Sequence, residues 1–218
     1  MLSALQRQLS DIYQAGTSHD VRDYLVTDPT IARCIGQDAM LADSRETLLM
    51  AEDEEGLALS LFLDSELIER LETADPLTRL RAHQLEDLWL VLEGLSHFNC
   101  VVWRAARDRS VSLLELELQA EVDKFVATAL LAIAQGRQNL MKRLHGWLFD
   151  EVRFRDDLDD AQVERYRAAN DYAARFCHSL RERLLCNDDG VLHELRHFYR
   201  LPMTDKVSHI HTRALSAG

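Results

Sequence analysis

Proline is scarce in this chain, with three residues among 218, and none lies between Pro76 and Pro202. Because a proline inside a helix costs about 3 kcal/mol, its absence from that stretch favours long helices. No apolar run approaches the roughly 20 residues that a membrane-spanning helix requires. Residues 1–14 also lack the basic and apolar regions of a secretory signal. We therefore expect a cytoplasmic protein.

Several signatures of known chemistry are missing as well. The sequence has no glycine-rich phosphate loop, no nucleophile elbow and no basic patch rich in aromatic residues. The cysteines form no CxxC pair and occur in segments that read as helical, so we expect four reduced thiols. They are Cys34, Cys100, Cys177 and Cys186.

The negative charge is unevenly distributed along the chain. The formal net charge is −12. Residues 1–76 contain 16 acidic and 5 basic residues, whereas residues 77–218 contain 21 and 20. This balance excludes general binding to nucleic acid and adsorption to anionic membranes, which both need a basic surface. The acidic region could instead attract a basic protein partner, although a merely solubilising surface is the simpler interpretation.

Helical periodicity dominates the sequence. Ser112 and Glu115 form a capping-box pattern at the start of one long segment. The predicted helical segments are residues 2–15, 20–26, 28–35, 65–73, 80–106, 112–135, 137–149, 161–185, 191–201 and 203–212.

Residues 46–64 break the helical pattern. Leucines alternate with other residues after Gly56, which is typical of a strand, and Gly56 can supply a turn position with positive φ. We predict a β-hairpin here, with a helix as the alternative, because leucine and alanine are poor strand formers. Glu52, Asp53, Glu54 and Glu55 would lie at the hairpin tip.

The fold predicted from these segments is a single, mainly α-helical domain over residues 1–218. Its acidic N-terminal region, residues 1–76, contains the hairpin, and residues 77–213 form an antiparallel helical bundle. The short connection at 107–111 makes the two long helices antiparallel neighbours. The sequence leaves open a homo-oligomer.

Each of the two long helices carries one narrow polar stripe on an otherwise apolar surface. Helices that are apolar almost all round are buried, and ionisable groups on them must be paired, hydrogen-bonded or bound to metal. The stripe of the first helix contains Glu86, Glu93, His97, Cys100 and Arg104, and that of the second contains Glu117, Glu121, Lys124 and Thr128.

One interpretation of the stripes is a metal site. Glu93 and His97 share a helix face, as do Glu117 and Glu121. Three carboxylates and one imidazole suit non-haem iron or manganese. The arrangement resembles di-iron carboxylate helical bundles such as ferritin-like or haem-oxygenase-like oxidases. That resemblance implies iron and oxidase chemistry, but the spacing here is Glu-x-x-x-His, whereas ferritin-like proteins use Glu-x-x-His.

The other interpretation is a buried salt-bridge network. In it, Arg104 and Lys124 neutralise the three glutamates, with Glu86 part of the same polar set. A cation within the stripe repels a metal ion and satisfies carboxylates without one.

His193, Glu194 and His197 form an H-E-x-x-H sequence that resembles the zinc-metalloprotease motif. Two histidines one helical turn apart can bind zinc, with the glutamate as general base. Arg196 places a charge inside the motif, and no third ligand follows at the usual spacing. An amphipathic helix with exposed histidines is the alternative.

Because each catalytic motif is incomplete, the sequence favours an interaction or regulatory protein without a cofactor. The first alternative is an iron- or manganese-dependent enzyme that uses the glutamate and histidine stripe. The second alternative is a zinc hydrolase that uses the segment from His193 to His197.

Overall fold

A computed structural model describes residues 1–37, 43–53, 56–152, 158–186, 188 and 190–216. This part of the chain is mostly helical and includes a small three-stranded sheet, so the predicted mainly α class is confirmed. The strands are β1 (Leu25–Val26), β2 (Glu46–Asp53) and β3 (Gly56–Leu63). The α-helices in these ranges are α1 (Leu2–Tyr13), α2 (Pro29–Gly36), α3 (Ser65–Thr73), α4 (Leu85–Ala105), α5 (Leu113–Ala134), α6 (Gln138–His145), α7 (Asp160–Leu185), α8 (Gly190–Arg200) and α9 (Met203–Ser216).

The central helices α4 and α5 are buried along most of their length. Both pack against each other, and α5 also packs against α6 and α7. Leu88, Leu95 and Phe98 of α4 and Val122 and Phe125 of α5 are fully buried. Burial of each such side chain stabilises the fold by about 1.5–3 kcal/mol. Within the described ranges, no helix is both long enough and apolar enough to cross a bilayer.

The start of α5 differs in one detail from the predicted capping box. The side chain of Ser112 accepts a hydrogen bond from the backbone N–H of Glu115 at 3.2 Å, as predicted. The Glu115 carboxylate does not return to the cap, because it pairs with the Arg104 guanidinium of α4. The capping box is therefore only half formed, and Glu115 instead joins the two central helices.

The predicted hairpin is confirmed, and the alternative helix at this position is wrong. β2 pairs antiparallel with β3 from Glu46 opposite Leu63 to Asp53 opposite Gly56. Gly56 has a φ of 133°, in the region that favours glycine. The short strand β1, which the sequence analysis missed, pairs parallel with β3. Residues 54 and 55 at the tip lie outside the described residues. The attraction of a basic protein partner by the acidic region therefore stays a prediction.

The two faces of the sheet pack against different helices. Successive side chains of a strand point to opposite faces. Leu61 and Leu63 of β3 therefore join the main core together with α4, while Leu49 and Phe62 pack against Ala32 of α2. Glu46 of β2 shares the face that turns toward α4, since it lies directly opposite Leu63.

A buried polar network connects α1, α4, α5 and α9. The Asp123 carboxylate accepts hydrogen bonds from Tyr13, from Ser96 at 2.6 Å and from Gln119 at 2.8 Å. The Lys206 ammonium donates to Gln119 at 2.8 Å. Because these buried groups have partners, the network stabilises the packing of the four helices.

Candidate metal centre

Glu93 and His97 of α4 and Glu117 of α5 converge at the contact between the two helices. One ligand atom of each lies within 4.8 Å of the other two. The Nε2 atom of His97 is 3.8 Å from Oε2 of Glu117. Cis ligands of an octahedral ion with bonds of about 2.1 Å are roughly 3 Å apart, so a small inward movement of the side chains would suffice. The structure thus brings together three of the four ligands proposed from the sequence.

Lys124 lies on the other side of Glu93. Its Nζ atom is 2.7 Å from Oε2 of Glu93 and 2.7 Å from Oε1 of Glu121. The lysine side chain is only 10% exposed. Glu121, the fourth proposed ligand, therefore neutralises Lys124 and does not belong to the metal-compatible group.

Glu46 is a site residue that the sequence analysis missed. Its Oε1 atom is 3.9 Å from Nδ1 of His97, which is too long for a hydrogen bond but close enough for a strong charge interaction. Gly94 makes this approach possible, since a Cβ atom there would lie 3.0 Å from Oε1 of Glu46 and 2.9 Å from Leu61. A glycine in the middle of an otherwise strong helix was the one signal that could have indicated close packing at this point.

The two nitrogens of the His97 ring face two different carboxylates. Nδ1 faces Glu46, and Nε2 faces Glu117. Among the described residues, the buried Nε2 atom has no hydrogen-bond partner, and neither has the buried Oε1 atom of Glu46. Buried polar atoms without partners are costly, and metal-binding histidines commonly have a carboxylate at the second nitrogen. The geometry therefore fits a metal at Nε2 with Glu46 behind the ring.

The cluster contains more negative than positive charge. Burial alone would lower the pKa of His97, but Glu46, Glu117 and Glu93 outweigh it and raise that pKa to about 9. Burial raises the pKa of Glu117 to about 7, with Glu93 and Glu46 adding to the effect. Burial also raises the pKa of Glu46, whereas Lys124 and His97 reverse this effect at Glu93 and lower its pKa. The cluster thus holds protons that isolated side chains would release.

We expect the metal-stripped protein to become less stable as the pH rises from about 6.5 to 9. The folded-state pKa of His97, about 9, is above its ordinary value of 6.5. Its contribution to stability is therefore complete below about pH 6.5 and is lost as the pH rises through 9. Glu117, whose pKa rises from 4.5 to about 7, loses its contribution in the same direction over that lower pH range. Urea unfolding in chelator at several pH values measures this slope. His97→Gln should flatten it, and the exposed control His193→Gln should not. Equal slopes in all three proteins would contradict the expectation.

The other residues of the predicted stripes lie outside this cluster. Glu86 is exposed, so its assignment to a buried network is wrong. Arg104 is buried, but it pairs with Glu115 and the carbonyl of Leu201 and not with the three glutamates. Cys100 packs against Val101 and Leu116, and Thr128 accepts a hydrogen bond from the Trp89 indole at 3.1 Å. The residues of the two predicted stripes therefore form one cluster and several separate local pairs.

The H-E-x-x-H residues of α8 do not converge on a common point. His193 and His197 are exposed, while the neighbouring Glu194 is buried. The Glu194 carboxylate pairs with Arg183, with His209 at 3.2 Å and with Arg213 at 2.8 Å. In the described ranges, the cluster of Glu93, His97 and Glu117 is the one group of potential ligands with metal-compatible spacing. Glu194 thus acts as the anion of an ion-pair network.

A pocket of about 350 Å³ leads from the surface to the cluster. Glu93, His97 and Glu117 all line it, as does Glu46. A metal held there would keep coordination positions open toward the pocket, which is the property that distinguishes catalytic from structural metal sites.

No protein-family model matches the chain, and no curated protein or solved structure is similar enough to count as a match.

Proposed function

We propose that the protein binds one divalent transition-metal ion, Fe²⁺ or Mn²⁺, through Glu93, His97 and Glu117, and uses it in a metal-dependent reaction. The observation that carries this proposal is the buried Nε2 atom of His97, which faces Glu117 and lacks a hydrogen-bond partner among the described residues.

The two long helices that supply these ligands would form the antiparallel centre of a helical bundle, with the connection at 106–112 between them. Four free thiols agree with a cytosolic location.

The types of donor favour iron or manganese. Calcium and magnesium prefer oxygen ligands, whereas soft ions prefer thiolates. One imidazole and two carboxylates suit Mn²⁺ and Fe²⁺, which also accept open coordination positions. The thiol of Cys100 packs among apolar residues and is not part of the group with metal-compatible spacing.

The charge of the cluster also favours a divalent cation. Four carboxylates, those of Glu46, Glu93, Glu117 and Glu121, surround one lysine ammonium and one imidazole. A carboxylate has two oxygens, so Glu93 can contact Lys124 through one and a metal through the other. A metal ion would replace the protons that the cluster otherwise retains.

The competing function is an interaction or regulatory protein in which the cluster is only a salt-bridge network. The double pairing of Lys124 with Glu93 and Glu121 favours this alternative, because it satisfies part of the cluster without metal. In this alternative a protonated His97 faces Glu117 at 3.8 Å, but its Nε2 atom still lacks a hydrogen bond among the described residues.

Calorimetric titration of the metal-stripped protein with Mn²⁺ distinguishes the two functions. We expect one binding site per chain, and a loss of roughly 100-fold or more in affinity for His97→Ala, since a direct ligand is removed. His193→Ala, which removes an exposed histidine of the H-E-x-x-H sequence, is the matched control and should bind like the wild type. Absence of Mn²⁺ and Fe²⁺ binding in the wild type would refute the metal proposal and leave the salt-bridge network.

A further inference from the structure

The pocket above the cluster has walls of contrasting chemistry. Leu48 and Met50 of β2 form one apolar side together with Leu113 and Leu116 at the start of α5. Gln162 and Tyr166 of α7 provide polar groups. The metal-compatible cluster lies at the base of the same space.

We propose that this pocket binds a small, neutral or singly charged molecule that has an apolar body and one oxygen group placed at the metal. The inference rests on the proposed metal function and names the class of ligand for that site. The apolar body would lie between β2 and the start of α5, and the oxygen group would face Glu93, His97 and Glu117.

The apolar character of the ligand follows from the mouth of the pocket. Met50 is 46% exposed and Leu113 is 53% exposed, so two large apolar side chains are in contact with water at its rim. Leu48 and Leu116 continue the apolar surface inward, where they pack together with Cys100 and Val101. Ligand sites are mostly apolar with a few convergent polar groups, and a volume of about 350 Å³ suits a small molecule.

The charge of the ligand follows from the base of the pocket. With a divalent ion bound, the negative charge of the four carboxylates still exceeds the combined positive charge of Lys124 and the metal. The carboxylates are those of Glu46, Glu93, Glu117 and Glu121. This excess repels phosphates and dicarboxylates.

Tyr166 supplies a hydrogen-bond donor to the pocket that the cluster lines. It lines the pocket four residues after Gln162, so both side chains point from one face of α7. Burial raises the pKa of Tyr166 to about 12, with Glu117 and Glu93 adding to the effect, so its hydroxyl keeps its proton. We assign Tyr166 as a positioning residue that donates to the ligand oxygen.

Binding of straight-chain alkyl hydroxamates to the Mn²⁺-loaded protein tests the ligand class. The hydroxamate group binds metal through oxygen and is neutral or singly charged, and the chain length varies the apolar body. We expect the affinity to rise about fourfold per methylene from acetohydroxamate until the chain fills the pocket, since each buried methylene contributes about 0.8 kcal/mol. Succinate and inorganic phosphate should not compete. The signal is the change in the Mn²⁺ electron paramagnetic resonance spectrum.

Leu113→Asp and Met50→Asp should remove the dependence on chain length while Mn²⁺ affinity stays within about twofold. Ile31→Asp, which alters an equally exposed side chain on α2, is the control and should keep that dependence. Tyr166→Phe should weaken every hydroxamate by a similar factor, about tenfold, because it removes one hydrogen bond to the common head group. Unchanged hydroxamate binding in Tyr166→Phe would refute the role of Tyr166.

The outcomes separate this inference from the proposed function. If Mn²⁺ binds but hydroxamate affinity is independent of chain length, the pocket inference is wrong and the metal site remains. If succinate or phosphate binds as tightly as the longer hydroxamates, the assigned charge of the ligand is wrong. If Mn²⁺ itself does not bind, both proposals fail.

Discussion

Lys124→Met should destabilise the metal-stripped protein by about 3–5 kcal/mol at neutral pH, the usual cost of removing one partner from a buried ion pair. Its ammonium lies 2.7 Å from both Glu93 and Glu121, so the substitution leaves two largely buried carboxylates without their cation. Methionine is similar in length and apolar, so lost packing contributes little. Urea unfolding in the presence of chelator measures the free energy of unfolding.

The exposed Lys142 provides the matched control. Lys142→Met should change the free energy of unfolding by less than about 0.5 kcal/mol. Added Mn²⁺ should restore more stability to Lys124→Met than to the wild type, because a divalent ion then replaces missing positive charge in the cluster. A Lys124→Met protein as stable as the Lys142→Met control would show that the cluster is effectively solvated.

The second large effect is expected at Glu194. Glu194→Ala should lower the free energy of unfolding by about 2–3 kcal/mol, because it leaves the pairing groups of Arg183, His209 and Arg213 without their common anion. The cost is below that of a fully buried pair, since Arg183 and Arg213 reach solvent. Thermal and urea unfolding test this, with the exposed Glu182→Ala as control.

Measuring the zinc content of the same proteins decides between two roles of the H-E-x-x-H sequence. A structural Glu194 predicts lower stability with no change in zinc content. Stoichiometric zinc in the wild type that disappears on His193→Ala or His197→Ala would contradict the ion-pair assignment and revive the zinc hydrolase.

Local periodicity was enough to predict much of the fold and part of the site. Alternation after Gly56 identified the hairpin, because a strand repeats every two residues. The 3.6-residue period of a helix placed Glu93 and His97 on one face of α4, and the same rule applied to Glu117 on α5. Since the two helices are joined by a short connection, their polar faces were expected to meet.

Long-range packing supplied what periodicity could not. Glu46 belongs to a strand far from α4 in sequence, and only the close approach at Gly94 brings its carboxylate to His97. Arg104 was assigned to the wrong partner because its position on the helix wheel does not reveal that Glu115 of the next helix is closer. Glu86 was placed in the interior, but it lies on the solvent side of the first turn of α4, whose Leu85 and Leu88 are buried.

The H-E-x-x-H sequence shows a related limit of motif matching. Its spacing correctly places His193 and His197 one turn apart, but it carries no information on which face of α8 is buried. The packing of α8 turns Glu194 inward and leaves both histidines exposed, which separates the general base from the proposed ligands. The apolar residues around a motif decide its orientation as much as the motif itself.

Anomalous diffraction at the manganese edge from crystals of the Mn²⁺-loaded protein tests the metal assignment most directly. We predict one strong peak per chain, at about 2.0–2.3 Å from Nε2 of His97 and from a carboxylate oxygen each of Glu93 and Glu117. Lys124 should still contact Glu121, and Glu46 should remain at Nδ1 of His97. A peak elsewhere, or no peak in a crystal grown from protein saturated with Mn²⁺, would contradict the assignment.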